Sequence, residues 1–284
     1  MGTKLKSLPF GSTSEPLTTQ SSLAARLPQE LMEMILSHLV YDKRTLLACS
    51  MACCSWYIVT VSHLHHSLTT NNVEHQSPRK YVWPRPLEKS HKLGLLPLIK
   101  QFRVRIGSGY KFGPEQLNGR TLHYFSALVN LQELGIDFLQ VSRFMPNLQQ
   151  YFGHFSPTLR FLALKEPDGS PRQIIYFIGL FPNLQDLKLQ YNFPRRGLEV
   201  AVDTALIPLS TPPLQGWLTL ISFTTRDLMK EMIALFGGLR FHHMDLFKVN
   251  CMQLLFEACA ETLETIRLYP TDAYREEFLE RWKI

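Results

Sequence analysis

The run Leu27-Pro28-Gln29-Glu30-Leu31-Met32-Glu33-Met34-Ile35-Leu36-Ser37-His38-Leu39, continued by Asp42, Leu46, Leu47, Cys49, Ser50, Cys53 and Trp56, carries more structural information than any other part of the chain. Pro28 suits the first turn of a helix, where the N–H it lacks would have no partner anyway. Leu31, Ile35 and Leu39 recur at i, i+4 and i+8 and so share one helical face. Asp42 is placed to cap a second helix, whose inner positions are Leu46, Leu47, Ser50 and Cys53. A third helix is expected from near Ser55, carrying Trp56, Val59 and Leu64. Three short helices enclose a very small core, so such a unit is usually completed by a partner or by the rest of its chain.

The order Leu-Pro-x-Glu-Leu-x-x-x-Ile-Leu-x-x-x-Leu is supplied by Leu27, Pro28, Glu30, Leu31, Ile35, Leu36 and Leu39, and a closing Ser-x-x-Cys-x-x-Trp by Ser50, Cys53 and Trp56. This pattern resembles the F-box, the module that docks a substrate receptor onto the Skp adaptor of a cullin ubiquitin ligase. The interval from Leu39 to Ser50 is longer than the common form, which bears on the loop between the first two helices. The resemblance implies an adaptor-binding face carried by Leu27, Pro28, Leu31, Ile35, Leu47, Cys53 and Trp56.

Further along, the template Pro-x-Leu-x-x-Leu-x-Leu is met by Pro182, Leu184, Leu187 and Leu189 and again by Pro157, Leu159, Leu162 and Leu164. Leu131, Leu134 and Ile136 repeat it without the proline, and Ile99, Phe102 and Val104 fit with similar side chains. Leu263, Ile266 and Leu268 give a late copy, Leu239, His242 and Met244 a degraded one, and Leu214 with Trp217 a copy that slips by one residue. The first apolar positions of these copies are separated by 32, 28, 25, 30, 25 and 24 residues. That is within or just above the leucine-rich-repeat range of roughly 20–29. Leu-x-Leu makes a short strand with its apolar side chains on one side. The stretches 223–236 and 251–260 have helical periodicity instead. A strand plus a helix cannot bury its face alone, and stacked neighbours share a continuous core.

Together the two signals resemble F-box leucine-rich-repeat proteins. In phrases such as Phe181-Pro182-Asn183-Leu184 and Phe155-Ser156-Pro157-Thr158-Leu159-Arg160 they resemble the irregular fungal members. The fold this implies is an α/β repeat: a short three-helix N-terminal F-box, then an irregular leucine-rich-repeat solenoid with a parallel β-sheet on its concave face. The expected organisation is a disordered tail over 1–24, the F-box over 25–70, a Pro- and Asn-rich connector over 71–94 and the leucine-rich-repeat-like domain over 95–284. The Asn that closes a regular repeat is mostly absent, so the solenoid is expected to be irregular. A short amphipathic segment over 275–284 either caps the last repeat or marks a truncated sequence.

Composition places the chain among globular proteins with a sizeable core, with 45% hydrophobic and 19% charged residues in 284. Five cysteines, an odd number, do not build a disulfide framework. The longest strongly apolar run, 174–181, is too short for a bilayer span. Lys4 and Lys6 are followed by no signal-peptide core, and Lys6 occupies the position where a myristoylation motif wants Ser or Thr. A cytoplasmic and/or nuclear protein is expected, without membrane attachment. The net charge of +6 is scattered along the chain rather than set in one stripe, which argues against nucleic acid. The charge reads as a mildly basic solvated surface; the alternative for the loose cluster of Arg79, Lys80, Arg85, Lys89 and Lys92 is an acidic partner surface.

No catalytic constellation is recognisable. Gly107-x-Gly109 with Gly113 lacks the Lys-Ser/Thr of a phosphate loop, and there is no Gly-x-Ser-x-Gly elbow. Cys49, Cys53 and Cys54 with His63, His65 and His66 lack metal-ligand pairing. No enzyme, cofactor or metal is expected. The expected function is substrate recognition in a Skp–cullin–F-box ubiquitin ligase. The partners are a Skp-type adaptor, through it a cullin, and a protein substrate. The alternative is a non-ligase leucine-rich-repeat scaffold whose F-box-like helices only cap the solenoid. Substrate contact is assigned to Arg103, Arg105, Arg160, Phe161 and Lys188. These mix charge with an aromatic ring, where a phosphate backbone would demand mostly Lys and Arg.

Overall fold

The computed structural model describes residues 27–40, 42–72, 84–106, 111–117, 119–190, 213–221, 226–236, 238–247 and 252–269. The expected tail over 1–24, the Gly107–Gly109 loop and the amphipathic segment over 275–284 lie outside them. Two compact units are present, Met1–Leu64 and His65–Ile284.

The first unit holds α1 (Gln29–Ser37), α2 (Lys43–Ser50) and α3 (Cys54–Leu64). Pro28 precedes α1, and its carbonyl accepts the N–H groups of Leu31 and Met32 at 3.1 and 3.2 Å. The expected Asp42 cap is present: Oδ1 accepts from the N–H groups of Arg44 and Thr45, both at 3.1 Å. Oδ2 accepts from the Thr45 hydroxyl at 2.6 Å. The Thr45 hydroxyl, then its N–H, hold the Asp42 carboxyl below its ordinary value. Both α1 and α2 pack on α3.

The core of this unit is Met32, Leu36, Leu46 and Val59, with Leu27, Leu39, Cys49, Trp56 and Leu64 packed around it. Leu31 and Ile35, assigned to the adaptor face, are not core residues, whereas Leu47, expected as an inner position of the second helix, is corrected to an outward one. Met32, Leu36 and Leu39 also follow helical spacing, one residue round from Leu31 and Ile35. Periodicity permits both stripes in so apolar a run. Packing against α3 selects the second and turns Leu31, Ile35 and Leu47 outward.

The second unit is an eight-stranded parallel sheet in chain order. Its strands are β1 (Ser67–Asn72), β2 (Gln101–Ile106), β3 (Glu133–Asp137), β4 (Phe161–Lys165), β5 (Asp186–Gln190), β6 (Leu214–Ile221), β7 (Leu239–Phe247) and β8 (Thr265–Tyr269). The helices between them are α4 (Pro84–Lys92), α5 (Gly119–Ser126), α6 (Val141–Phe144), α7 (Leu148–Phe152), α8 (Pro171–Gly179), α9 (Arg226–Leu235) and α10 (Met252–Cys259). The repeated apolar positions 99, 131, 159, 184 and 263 each stand two residues before a strand. β1 and α4 occupy stretches read from sequence as the F-box end and the connector. β1 reads Ser-Leu-Thr-Thr-Asn-Asn, without Leu-x-Leu, and only its pairing with β2 reveals it.

Leucines at the template positions up to β7 face one continuous core, which is filled on the helix side by phenylalanine. Phe102, Phe125, Phe152, Phe177 and Phe181 form a chain of ring contacts with centroids 5.0–5.8 Å apart, nearly all edge to face. That is the arrangement the ring quadrupole favours. Adjacent repeats are also tied through asparagine. Asn130 Nδ2 donates to the Pro97 carbonyl at 2.8 Å, and Asn183 Nδ2 to the Pro157 carbonyl at 3.2 Å. Each asparagine precedes a repeat's first leucine and reaches the proline two places before the previous repeat's first apolar position.

The slipped copy has a specific cause. Gly216 has φ +93°, and a Cβ there would overlap the Gln185 carbonyl oxygen, which accepts the Trp217 N–H at 2.8 Å. Opposite this step β7 carries an extra residue, His242. The degraded template is corrected accordingly: Phe241, not His242, is the buried position. Beyond the bulge Leu218, Leu220, Met244 and Leu246 face the core.

Candidate functional site

In the helical unit, side chains that its own core does not use form an apolar surface. Leu31 is 44% exposed, Ile35 43% and Leu47 54%. Met34, Met51, Tyr57 and Ile58 are exposed as well. Leu31, Met34 and Ile35 are i, i+3 and i+4 and therefore neighbours on α1. Unburied apolar side chains gathered in one small unit mark a candidate interaction surface. Of the other residues assigned to this face, Pro28 is exposed, while Leu27, Cys53 and Trp56 are half-buried. Leu27 and Trp56 pack on the unit's core, so they also support the fold. Sequence reasoning missed Met34, Met51, Tyr57 and Ile58, although the spacing of Met34 from Leu31 was visible.

A second surface is the face of the sheet away from the phenylalanines. Strand register sets its residues in rows. One row passes through Glu133, Phe161, Asp186, Trp217 and His243. The next passes through Arg103, Gly135, Ala163, Lys188, Thr219, Asp245 and Arg267. A third joins Asp137 to Lys165, and farther along Phe247 to Tyr269. Four of the five assigned residues, Arg103, Arg105, Phe161 and Lys188, thus lie on one side of the sheet. Arg160 does not: it precedes β4 with opposite alternation, and its Nη1 donates to the Asn183 carbonyl at 3.4 Å.

The two ends of this face differ. On β2–β4, Gln101 Nε2 donates to Glu133 Oε1 at 2.9 Å. The Arg103 side chain crosses Gly135 so closely that a Cβ there would lie 3.0 Å from its Nε. Burial pushes the Asp137 carboxyl up to about 6, against the pull of Lys165, Arg103 and Arg105. Burial also raises Glu133 and Asp186. On β6–β8 the face is aromatic. Trp217 Nε1 donates to Asp245 Oδ2 at 3.2 Å, and the Arg267 guanidinium carbon stands 5.6 Å from the centroid of the same ring. His243 is 5.1 Å from Trp217, and Phe247 stacks on Tyr269 at 4.0 Å. The Gly216 step is what brings Trp217 to this side. The aromatic end was missed from sequence, because the slip hid which residues alternate outward.

Among the described residues no group of three or more His, Cys, Asp or Glu is placed to hold a metal. No described helix is long and apolar enough to cross a membrane.

A three-helix module with an uncovered apolar face, joined to a parallel α/β sheet domain, is the class of protein these two units define. The F-box-like family model matches residues 24–71, so the helical module is F-box-like, which supports an F-box protein. No curated protein matches the chain.

Proposed function

We propose that the protein is the substrate-recognition subunit of a Skp–cullin–F-box ubiquitin ligase, non-enzymatic in itself and acting in the cytoplasm and/or nucleus. A Skp-type adaptor docks on Leu31, Ile35 and Leu47, flanked by Leu27, Pro28, Cys53 and Trp56, and links the chain to a cullin. The strands and helices of residues 65–284 act as an irregular leucine-rich-repeat solenoid whose open sheet face receives a protein substrate at Arg103, Arg105, Phe161 and Lys188. The observation that carries the reading is the exposure of Leu31, Ile35 and Leu47 within a module matched as F-box-like. Interface energy concentrates in a few such apolar anchors. Leu31→Asp with Ile35→Asp is expected to abolish co-purification with the adaptor while leaving the melting temperature within a few degrees. Undiminished co-purification would overturn the adaptor reading. If residues 65–284 alone melted far below the full chain, the helices would be a structural cap instead.

A further inference from the structure

We propose that the exposed side of α4 and α5 is a docking surface for an acidic segment of a partner protein. The assignment is separate from the adaptor and substrate surfaces and does not rest on either. Arg85, Lys89 and Lys92 on α4 and Arg120 on α5 are all exposed. The two helices pack together. Their joint face has one carboxylate, Glu88, which meets Lys92 Nζ at 2.8 Å. Lys92 first, and Arg120 and Arg85 after it, hold Glu88 below the usual carboxylate range, which places three cations around a single acid. One acid cannot neutralise four bases, so the patch keeps a positive field that draws in negative partners.

The platform is also fixed in shape. Leu87 is fully buried in the sheet domain's core and anchors α4 from beneath. His91 sets its ring edge-on to Tyr124 at 4.8 Å and 5.3 Å from His123, which ties α4 to α5. Leu93, just past α4, is 60% exposed and offers an apolar contact beside the charges.

The geometry selects among anionic partners. A nine-residue helix is about 14 Å long, which suits a short peptide rather than a phosphate backbone that needs a long basic track. A membrane surface is disfavoured because the apolar side of α4 is spent on the core, which leaves only Leu93 for insertion. An extended segment rich in Asp and Glu with an aliphatic residue matches both the cations and Leu93.

The test uses the full chain and a fluorescein-labelled twelve-residue peptide containing eight Asp/Glu and two Leu. The quadruple variant Arg85→Ser, Lys89→Ser, Lys92→Ser, Arg120→Ser is expected to weaken binding at least tenfold and to flatten its dependence on salt. A control removing as many exposed cations elsewhere (Lys111→Ser, Arg143→Ser, Lys230→Ser, Arg240→Ser) is expected to bind within twofold of the parent. Leu93→Ser alone is expected to weaken binding two- to fivefold. Melting curves confirm that each variant is folded, and should the patch quadruple variant fail to fold, the Arg85→Ser, Lys89→Ser pair replaces it. Equal losses in both quadruple variants would overturn the proposal, as would tighter binding to a single-stranded oligonucleotide or to phosphatidylserine vesicles than to the peptide. Adaptor co-purification by the quadruple variant should be unchanged, which separates failure of this inference from failure of the F-box reading.

Discussion

The helical unit and the sheet unit use the same apolar residue types in opposite ways. Among its described residues the first has a core of four buried side chains and leaves seven large apolar ones exposed. The second runs one core from Leu87 to Cys259 and, except at β8, buries its template leucines. At β8 alone the inward positions Ile266 and Leu268 are 41% and 53% exposed. A small core cannot close over every apolar residue of three helices, whereas each added strand and helix covers the face of the one before. Exposure in the helical unit therefore marks a face held open, and burial in the sheet unit marks a repeat that has found its neighbour.

The sharpest way to break this comparison is to remove one ring from the phenylalanine chain. Phe152 contacts Phe125, Phe144 and Phe177 and is fully buried. Phe152→Ala should cost about 4 kcal/mol in chemical denaturation. Amide exchange should rise across β3–β5 and stay unchanged in α1–α3. Spread of the effect into the helical unit would show that the two units do not unfold separately.

Next in size is a pair of neighbours on α1. Leu36→Ala, at a position with no exposed surface, should cost roughly 3 kcal/mol and melt the small unit. Ile35→Ala, one residue away, should stay within about 0.5 kcal/mol. Equal costs would mean that the core face has been assigned to the wrong stripe.

Asp137 sharpens the comparison through pH. Its folded value of about 6 lies above the ordinary carboxylate value of 3.8, so the native state holds the proton more tightly than the unfolded chain. The associated stability is full below the unfolded value and is lost as pH rises through 6. Asp137→Asn is therefore expected to stabilise the sheet unit at pH 7.5 by about 3 kcal/mol at most, with the gain gone by pH 3.5. Urea midpoints at the two pH values measure it, and a gain equal at both would show that burial is not the cause.

The smallest expected effect is at Asn183. Losing its bond to the Pro157 carbonyl should cost about 1 kcal/mol in Asn183→Ala. A change below 0.3 kcal/mol would leave the stacking to the apolar core alone.

Much of this was legible in the residues. The Leu-Pro opening and the Cys and Trp spacing gave the helical module, and the Asp42 cap fell where the side chain required it. The leucine spacing located seven of the eight strands, because period-2 burial leaves an unmistakable trace where one side is fully apolar. β1 escaped because a Ser-Leu-Thr-Thr-Asn-Asn edge strand depends on its neighbour's backbone rather than on its own side chains. The alternation that puts Arg103, Arg105, Phe161 and Lys188 on one side of the sheet was legible in the residues. Arg160 falls off that side, since alternation fixes direction only once the first residue of the strand is known.

The amino-acid order by itself determined the F-box-like module and the places of seven strands, because these rest on local spacing that neither packing nor partner can alter. Tertiary structure alone decided which of two equally periodic stripes on α1 turned inward, and that Gly216 and His242 would swing Trp217 to the open face. Both choices depend on contacts between segments distant in sequence: α1 against α3, and Gly216 against the Gln185 carbonyl. Helical period is the same for two stripes one residue apart, and a glycine shows that it is needed only when another backbone comes close enough to exclude a Cβ.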